Sequence, residues 1–248
     1  MTAAVLPRHS TAPARIPAVA PRAAHLRPVP ATTSASSALD RLGTSVGYAR
    51  GKTIIEEGNP AEYVYKVVSG ALRKVRLLPD GRRHITSFLM PGDFFGFAEG
   101  AVYTHTVEAV ADVTLVRYTR RGFEAALEQD PRAGRHFLGL VCKALSATQD
   151  QLLLLGRKSA LERMASFLLA LSDRMGADRK GGKTGAELDL PMNRSDVADY
   201  LGLTIETVSR LITRLRALHI IDTPDAHRIL ILKRDALEDL SASQAGAA

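Results

Sequence analysis

The chain has 248 residues, 46% of them apolar, enough for one large domain or two ordinary ones with a sizeable core. Its net charge of +7 allows a polyanionic partner, but +4 comes from residues 1–39, +2 from 40–156 and +1 from 157–248, so bulk charge does not single out a DNA-binding region. The single cysteine, Cys142, excludes an internal disulfide framework and a four-cysteine metal or iron–sulfur site, and no apolar run reaches the ~18–20 residues that span a membrane.

Residues 1–39 are rich in Ala, Pro, Ser, Thr and Arg, and hold half of the chain's 12 prolines. Such a stretch buries too little apolar surface to offset its ordering entropy, which predicts a disordered tail. An Arg-rich, acid-poor transit peptide is the alternative. From about Tyr48 the texture changes. Gly58, Gly70, Gly81 and Gly92 fall 11 to 12 residues apart, with short β-prone runs at Tyr63–Val68, Leu72–Leu78, His84–Leu89, Val107–Ala109 and Val113–Tyr118. Strands with turns at this spacing predict a β-sandwich, barrel or roll, and Pro79-Asp80-Gly81-Arg82 is a turn signal between two of them.

After Arg121 the pattern becomes helical. Leu138, Val141, Leu145, Thr148, Leu152 and Leu155 are spaced 3, 4, 3, 4, 3, a heptad seam with one polar member. Asp130-Pro131 starts this helix and Gly156 ends it. The spacing favours a dimer seam over a helix packed only on its own core. Cys142, inside this helix, reads as a buried structural thiol rather than a sensor. Ser159-Ala160-Leu161-Glu162 is a capping box opening a helix over Leu161–Met175. A polar loop from Gly176 to Gly185 and a short strand at Leu188-Asp189-Leu190 follow.

Residues 193–212 carry the motif with the most separate steric reasons. Asn193 caps a helix with Asp196 near its positive end, and Val197 and Leu201 give it a buried face. Ala198 is small where a second helix crosses, Gly202 supplies a turn with positive φ, and Thr204 caps the second helix. Val208, Leu211 and Leu215 bury that helix's inner face. A small residue, a glycine four later and a β-branched residue six after that form a helix-turn-helix skeleton. The outer face carries Glu206, Ser209, Arg210 and Thr213. It is either a solvated polar face or a base-reading one; on this skeleton Glu206, Ser209 and Arg210 are the expected base contacts. Arg194 and Ser195, at the first helix's N-terminus, and Thr204 are the expected phosphate contacts. Ile220-Ile221-Asp222, a turn at Pro224-Asp225, and Arg228–Leu232 read as a wing hairpin.

With these motifs in place, residues 45–240 resemble the CRP/FNR superfamily of bacterial regulators. Pro91-Gly92-Asp93-Phe94-Phe95-Gly96-Phe97, Leu152–Lys158 and the stretch from Tyr200 to Arg210 look closest to its FixK-like branch. The resemblance implies a palindromic DNA site with TTGA and TCAA half-sites. In cyclic-AMP-binding relatives a Glu follows the glycine matching Gly96, and an Arg-Ser pair lies further on. Here those places hold Phe97 and Tyr103-Thr104, so the cation that would neutralise a cyclic phosphate is missing from this segment. The cysteine cluster of FNR proper is absent from residues 1–40, and the position of the redox-sensitive cysteine of some FixK-like proteins is Asn193.

The expected fold is therefore α+β: a cyclic-nucleotide-binding-type β-roll over 40–130, a dimerisation helix over 131–156, a winged helix-turn-helix over 157–240, and a flexible tail over 241–248. The expected protein is a cytoplasmic homodimer that binds double-stranded DNA and RNA polymerase, uses no cofactor or metal, makes no membrane contact, and controls oxygen- or nitrogen-oxide-related respiratory genes without cyclic AMP. A ligand-gated regulator sensing a cyclic nucleotide or haem-bound gas through the β-roll is the alternative. No nucleophile–base constellation points to an enzyme.

Overall fold

The computed structural model describes residues 39, 42–176 and 186–242. The expected disordered tail (Leu39 apart), the polar loop from 177 onward and residues 243–248 lie outside the described residues; Gly176 itself closes the preceding helix in a left-handed conformation.

Two antiparallel four-stranded sheets build the N-terminal half. One has the order β1 (Thr44–Tyr48), β8 (Val113–Thr119), β3 (Tyr63–Ser69), β6 (Phe94–Phe95); the other has β2 (Thr53–Ile55), β7 (Thr106–Ala109), β4 (Leu72–Leu77), β5 (Arg83–Leu89). Both faces of the central strands are covered, one by the facing sheet and the other by helices. Along β3, Val64, Tyr65 and Val67 are buried, and Leu72 and Val75 along β4. Tyr65, Val67, Leu115 and Phe95 of one sheet meet Leu72, Leu89, Val107 and Ala109 of the other in one cluster. The four regularly spaced glycines all have positive φ. At Gly70 the reason is sharp: φ is 81° and a Cβ would lie 2.2 Å from the Asp112 carbonyl oxygen. The β4–β5 turn closes as expected, with Leu78 N–H donating to Arg82 O at 2.8 Å and Asp80 accepting from Arg82 N–H at 3.0 Å.

Helix α1 (Arg120–Gln129) packs Phe123 on Tyr118 and Val64, closing the first sheet's other face. Helix α2 (Pro131–Arg157) starts at Asp130-Pro131 as predicted but runs through Gly156 to Arg157. It needs no left-handed glycine to stop it, because the Arg163 guanidinium donates to the Leu155 and Lys158 carbonyls, at 2.9 Å each. Within the chain only Leu154 of α2 is buried. Leu138, Val141, Leu145, Thr148 and Leu152 are exposed, whereas Leu155 packs partly against the chain's own core. Cys142 is exposed, which corrects the expectation of a buried thiol: the whole stretch 141–150 stands clear of the chain's own core.

Helix α3 (Ala160–Met175) opens on the predicted capping box, with both reciprocal bonds between Ser159 and Glu162. It is followed by β9 (Ala186–Asp189), α4 (Arg194–Leu201), α5 (Ile205–Ala217), β10 (Ile221–Asp222), β11 (Arg228–Ile231) and α6 (Arg234–Ala242). The three strands form an antiparallel sheet in the order β10-β11-β9. The unanticipated α6 buries Leu237, and its last residues, Ser241 and Ala242, fall where a flexible tail was expected. The apolar interior is continuous from the outer face of β4 and β5 (Val75, Ile85, Phe88) through Leu168 of α3 to Leu201 of α4 and Leu215 of α5.

Candidate nucleic-acid interface

Local chemistry forms the two-helix unit. Asn193 caps α4: its side chain accepts from Asp196 N–H at 2.8 Å, and the Asp196 carboxylate accepts from Asn193 N–H at 3.3 Å. Val197, Ala198 and Leu201 are buried, so α5 can cross close to α4. Gly202 ends α4 with φ 63°, a conformation that costs a side-chain-bearing residue about 1–2 kcal/mol. Thr204 then caps α5, its hydroxyl oxygen accepting from Thr207 N–H at 3.2 Å. Val208, Leu211, Ile212 and Leu215 bury the inner face of α5.

The remaining face points outward. Glu206, Arg210, Thr213 and Arg214 are exposed and Ser209 is half-buried. Arg194, the first residue of α4, is exposed and reaches across to donate to the Ser209 hydroxyl at 3.5 Å. The structure thus brings Arg194 of the expected phosphate set beside Ser209 of the expected base set. Ser195 is half-buried beside Arg194. Thr204 is exposed, but its hydroxyl already serves the α5 cap. Arg214, exposed one turn beyond Arg210, went unnoticed in the sequence; its i+4 relation to Arg210 was the available signal. The hairpin β10–β11 stands next to this unit, and Arg228 on it pairs with Asp225 at 2.6 Å across the turn.

The β-roll segment after Gly96 offers a different chemistry. The Phe97 ring packs 5.9 Å from Phe123 and 4.9 Å from Phe137 of α2. The Tyr103 hydroxyl donates to Tyr63 O at 2.8 Å and accepts from Tyr63 N–H at 3.1 Å. Arg120 donates to Gly100 O at 2.8 Å and Ala98 O at 3.0 Å. The Tyr103 hydroxyl and the Gly100 and Ala98 carbonyls are thus engaged by the protein itself, and Phe97 stands where the resemblance places a Glu in cyclic-AMP-binding relatives. This segment does not supply the Glu and the Arg-Ser pair that the resemblance assigns to cyclic-AMP binders. The neighbourhood is not free of cations, as the segment alone suggested: burial, then Lys74 and Arg76 on β4, push His105 down to about 4. Burial also lowers the pKa of Lys74. Among the described residues no cluster of His, Cys, Asp and Glu could hold a metal ion, and no helix is long and apolar enough to cross a membrane.

A β-roll, a long helix and a capped two-helix unit with a hairpin beside it define a transcription regulator that binds DNA through a winged helix-turn-helix. Residues 45–130 match the cyclic nucleotide-binding domain family, and residues 162–240 the Crp-like helix-turn-helix domain family. The nitrogen fixation regulation protein FixK of Azorhizobium caulinodans is 44% identical over 199 residues, 80% of this chain and 79% of that one. The transcriptional activatory protein AadR of Rhodopseudomonas palustris is 42% identical, covering 80% of this chain and 82% of the relative. The structure of FixK2 from Bradyrhizobium japonicum superposes with a TM-score of 0.73 at 39% identity, over 82% of this chain and 99% of that one. The chain belongs to the CRP/FNR family of transcription regulators, in its FixK-like branch.

Proposed function

We propose that this regulator reads a palindrome of TTGA and TCAA half-sites as a homodimer, with Arg210 donating to guanine O6 and N7, Glu206 accepting from a cytosine or adenine amine, and Ser209 approaching a base edge. Arg194, Ser195 and Thr204 engage backbone phosphates. The observation that carries this reading is the outer face of α5: Glu206 and Arg210 are exposed on a helix whose inner face is buried and whose start is capped by Thr204. The heptad of α2, from Leu138 to Leu155, supplies the dimer seam. RNA polymerase is the protein partner, the cytoplasm the compartment, and the output is gene control rather than catalysis.

Its targets in this reading are oxygen- or nitrogen-oxide-related respiratory genes, and the name of FixK, a nitrogen fixation regulation protein, supports nitrogen-fixation genes beside them. Phe97 and Tyr103-Thr104, at the places where the resemblance puts Glu and Arg-Ser in cyclic-AMP binders, support DNA binding without cyclic AMP, since burying a cyclic phosphate without dedicated donors costs several kcal/mol. Electrophoretic competition between the palindrome and a scrambled duplex, with and without cyclic AMP, tests the whole. The expected result is a preference of ~10³ or more that the nucleotide leaves unchanged. Arg210→Ala is expected to lower specific affinity ~10–100-fold while nearly sparing random DNA. Equal loss on both duplexes refutes the base assignment, and nucleotide-dependent tightening refutes the ligand-independent reading.

A further inference from the structure

Helix α4 is held to the β-roll by charge as well as by apolar packing. Asp196, only 1% exposed, accepts on one carboxylate oxygen from Arg73 of β4 at 2.6 Å and from Arg83 of β5 at 3.1 Å. Its other oxygen belongs to the α4 capping box. Arg73 is held in turn by its cross-strand neighbour Glu108 on β7, at 2.7 Å. Arg83 also grips Asp199 at 2.6 Å, and the His84 ring lies 3.0 Å from the Asp199 carbonyl oxygen. One buried carboxylate therefore joins three strands of the β-roll to the cap that aims the first turn of the helix-turn-helix.

Buried charge pairs of this kind add little net stability over an apolar substitute, and in some proteins what they contribute instead is one fixed geometry. A dimer on a palindrome needs one geometry. Lengthening the spacer by one base pair moves a half-site about 3.4 Å along the axis and rotates it by roughly 34°. A recognition helix loosely tethered to its β-roll would follow that displacement; a clamped one would not.

We propose that Arg73 and Arg83 are positioning residues for DNA recognition: by clamping Asp196 and Asp199 they fix the helix-turn-helix on the β-roll and thereby set the half-site spacing that the dimer accepts. They touch no base. Their action runs through the α4 cap, which also carries Arg194 and Ser195. This proposal rests on the homodimer–palindrome reading above.

The experiment measures affinity for a set of palindromes whose spacer is lengthened or shortened by one and two base pairs, using the full chain, Arg83→Ala, Arg83→Lys and Arg73→Ala. The native chain is expected to lose more than about tenfold for a one-base-pair change. Arg83→Ala is expected to bind the optimal palindrome about tenfold more weakly, to lose under about threefold on changing the spacer, and to keep its discrimination between TTGA and a mutated half-site. Arg83→Lys, which keeps one charge but not the forked grip, is expected to lie between. Arg83→Ala leaves Asp196 paired with Arg73, so circular dichroism should show a folded chain. If Arg73→Ala does not fold, the two Arg83 variants decide. A sharp spacing profile in the native chain that stays equally sharp in Arg83→Ala overturns the clamp and leaves the dimer reading standing. A flat native profile takes down both. Tighter binding by Arg83→Ala also overturns the proposal, because the clamp would then be holding an unproductive orientation.

Discussion

Within a single chain, Leu138, Val141, Leu145 and Leu152 keep 61, 43, 58 and 68% of their surface exposed. Fully burying such a side chain stabilises by about 1.5–3 kcal/mol. Covering what remains open on Leu152 is therefore worth ~1–2 kcal/mol per protomer, and two-fold symmetry counts it twice. The four positions in both protomers together offer ~7–14 kcal/mol, against an association cost of ~4–15 kcal/mol. Gain and cost are of the same size, so one truncation should be decisive. Leu152→Ala is expected to cost ~2–3 kcal/mol of dimer stability and to raise the dimerisation constant ~30–150-fold. Leu152→Glu, which buries an unpaired carboxylate, should leave a monomer at micromolar concentration that no longer holds the palindrome. Sedimentation equilibrium measures the constant, and a thermal melt checks the fold. Leu153 supplies the control: it is 63% exposed but lies about 100° around the helix from Leu152. A dimerisation constant within threefold of the native value in Leu152→Ala, or a larger effect from Leu153→Ala, would refute the seam.

Arg194→Ala should weaken specific and random DNA alike and reduce the slope of log affinity against log salt by about one unit; an unchanged slope removes Arg194 from the phosphate set. His105, pushed from 6.5 down to about 4, is held neutral where the unfolded chain would bind a proton. Its contribution is therefore complete above about 6.5, declines as the pH falls from 6.5 towards 4, and is lost below that. With the partial solvation of the ring this amounts to ~1 kcal/mol between pH 7 and 5, so His105→Gln should flatten urea-derived stability over that window, and parallel native and variant curves would refute the assignment. Gly70→Ala, with a carbonyl oxygen 2.2 Å from the new Cβ, should cost at least ~2 kcal/mol, whereas Gly81→Ala, at the same φ with nothing within 4 Å, should cost only ~1 kcal/mol. Equal shifts in urea midpoint would show that strain alone matters at Gly70.

What was legible in the sequence is what local sterics decide. Asn193, Ala198, Gly202, Thr204 and Val208 each have a reason contained within one helical turn, and the helix-turn-helix forms as that pattern dictates. The strands β3, β4, β5, β7 and β8 also announced themselves, because short β-prone runs lie between and after the turn glycines. Strands β1, β2 and β6 did not: β6 has two residues, and it is a strand only because Phe95 pairs with Tyr65 from a distant part of the chain. Cys142 was misplaced for a related reason: heptad spacing says which face is apolar but not which residues the chain itself covers. The least legible feature is the Asp196 clamp. Asp196 already had a local explanation as the capping acid, while its two arginines lie 123 and 113 residues away on separate strands.

Two of the joints between the β-roll and the helices that follow it differ in chemistry. Between the β-roll and α2 the joint is aromatic: Phe94, Phe97 and Phe123 gather around Phe137, with Phe123 and Phe137 5.3 Å apart in an edge-to-face arrangement. Edge-to-face pairs add ~0.5–1.5 kcal/mol each beyond their buried area and are insensitive to salt. Between the β-roll and α4 the joint combines Phe88 packed 5.3 Å from Tyr200 with the arginine clamp. Phe97 extends the first joint, its ring 4.9 Å from Phe137 and still 43% exposed. A carboxylate at that place would need a polar partner, and a bound ligand could supply it; a phenyl ring needs only the other rings already there. At the place where the resemblance puts a Glu in cyclic-AMP-binding relatives, Phe97 thus links the proposed dimer helix to the β-roll. The proposed DNA binding without cyclic AMP has this physical basis: the Phe97 ring meets Phe123 and Phe137 of the chain itself.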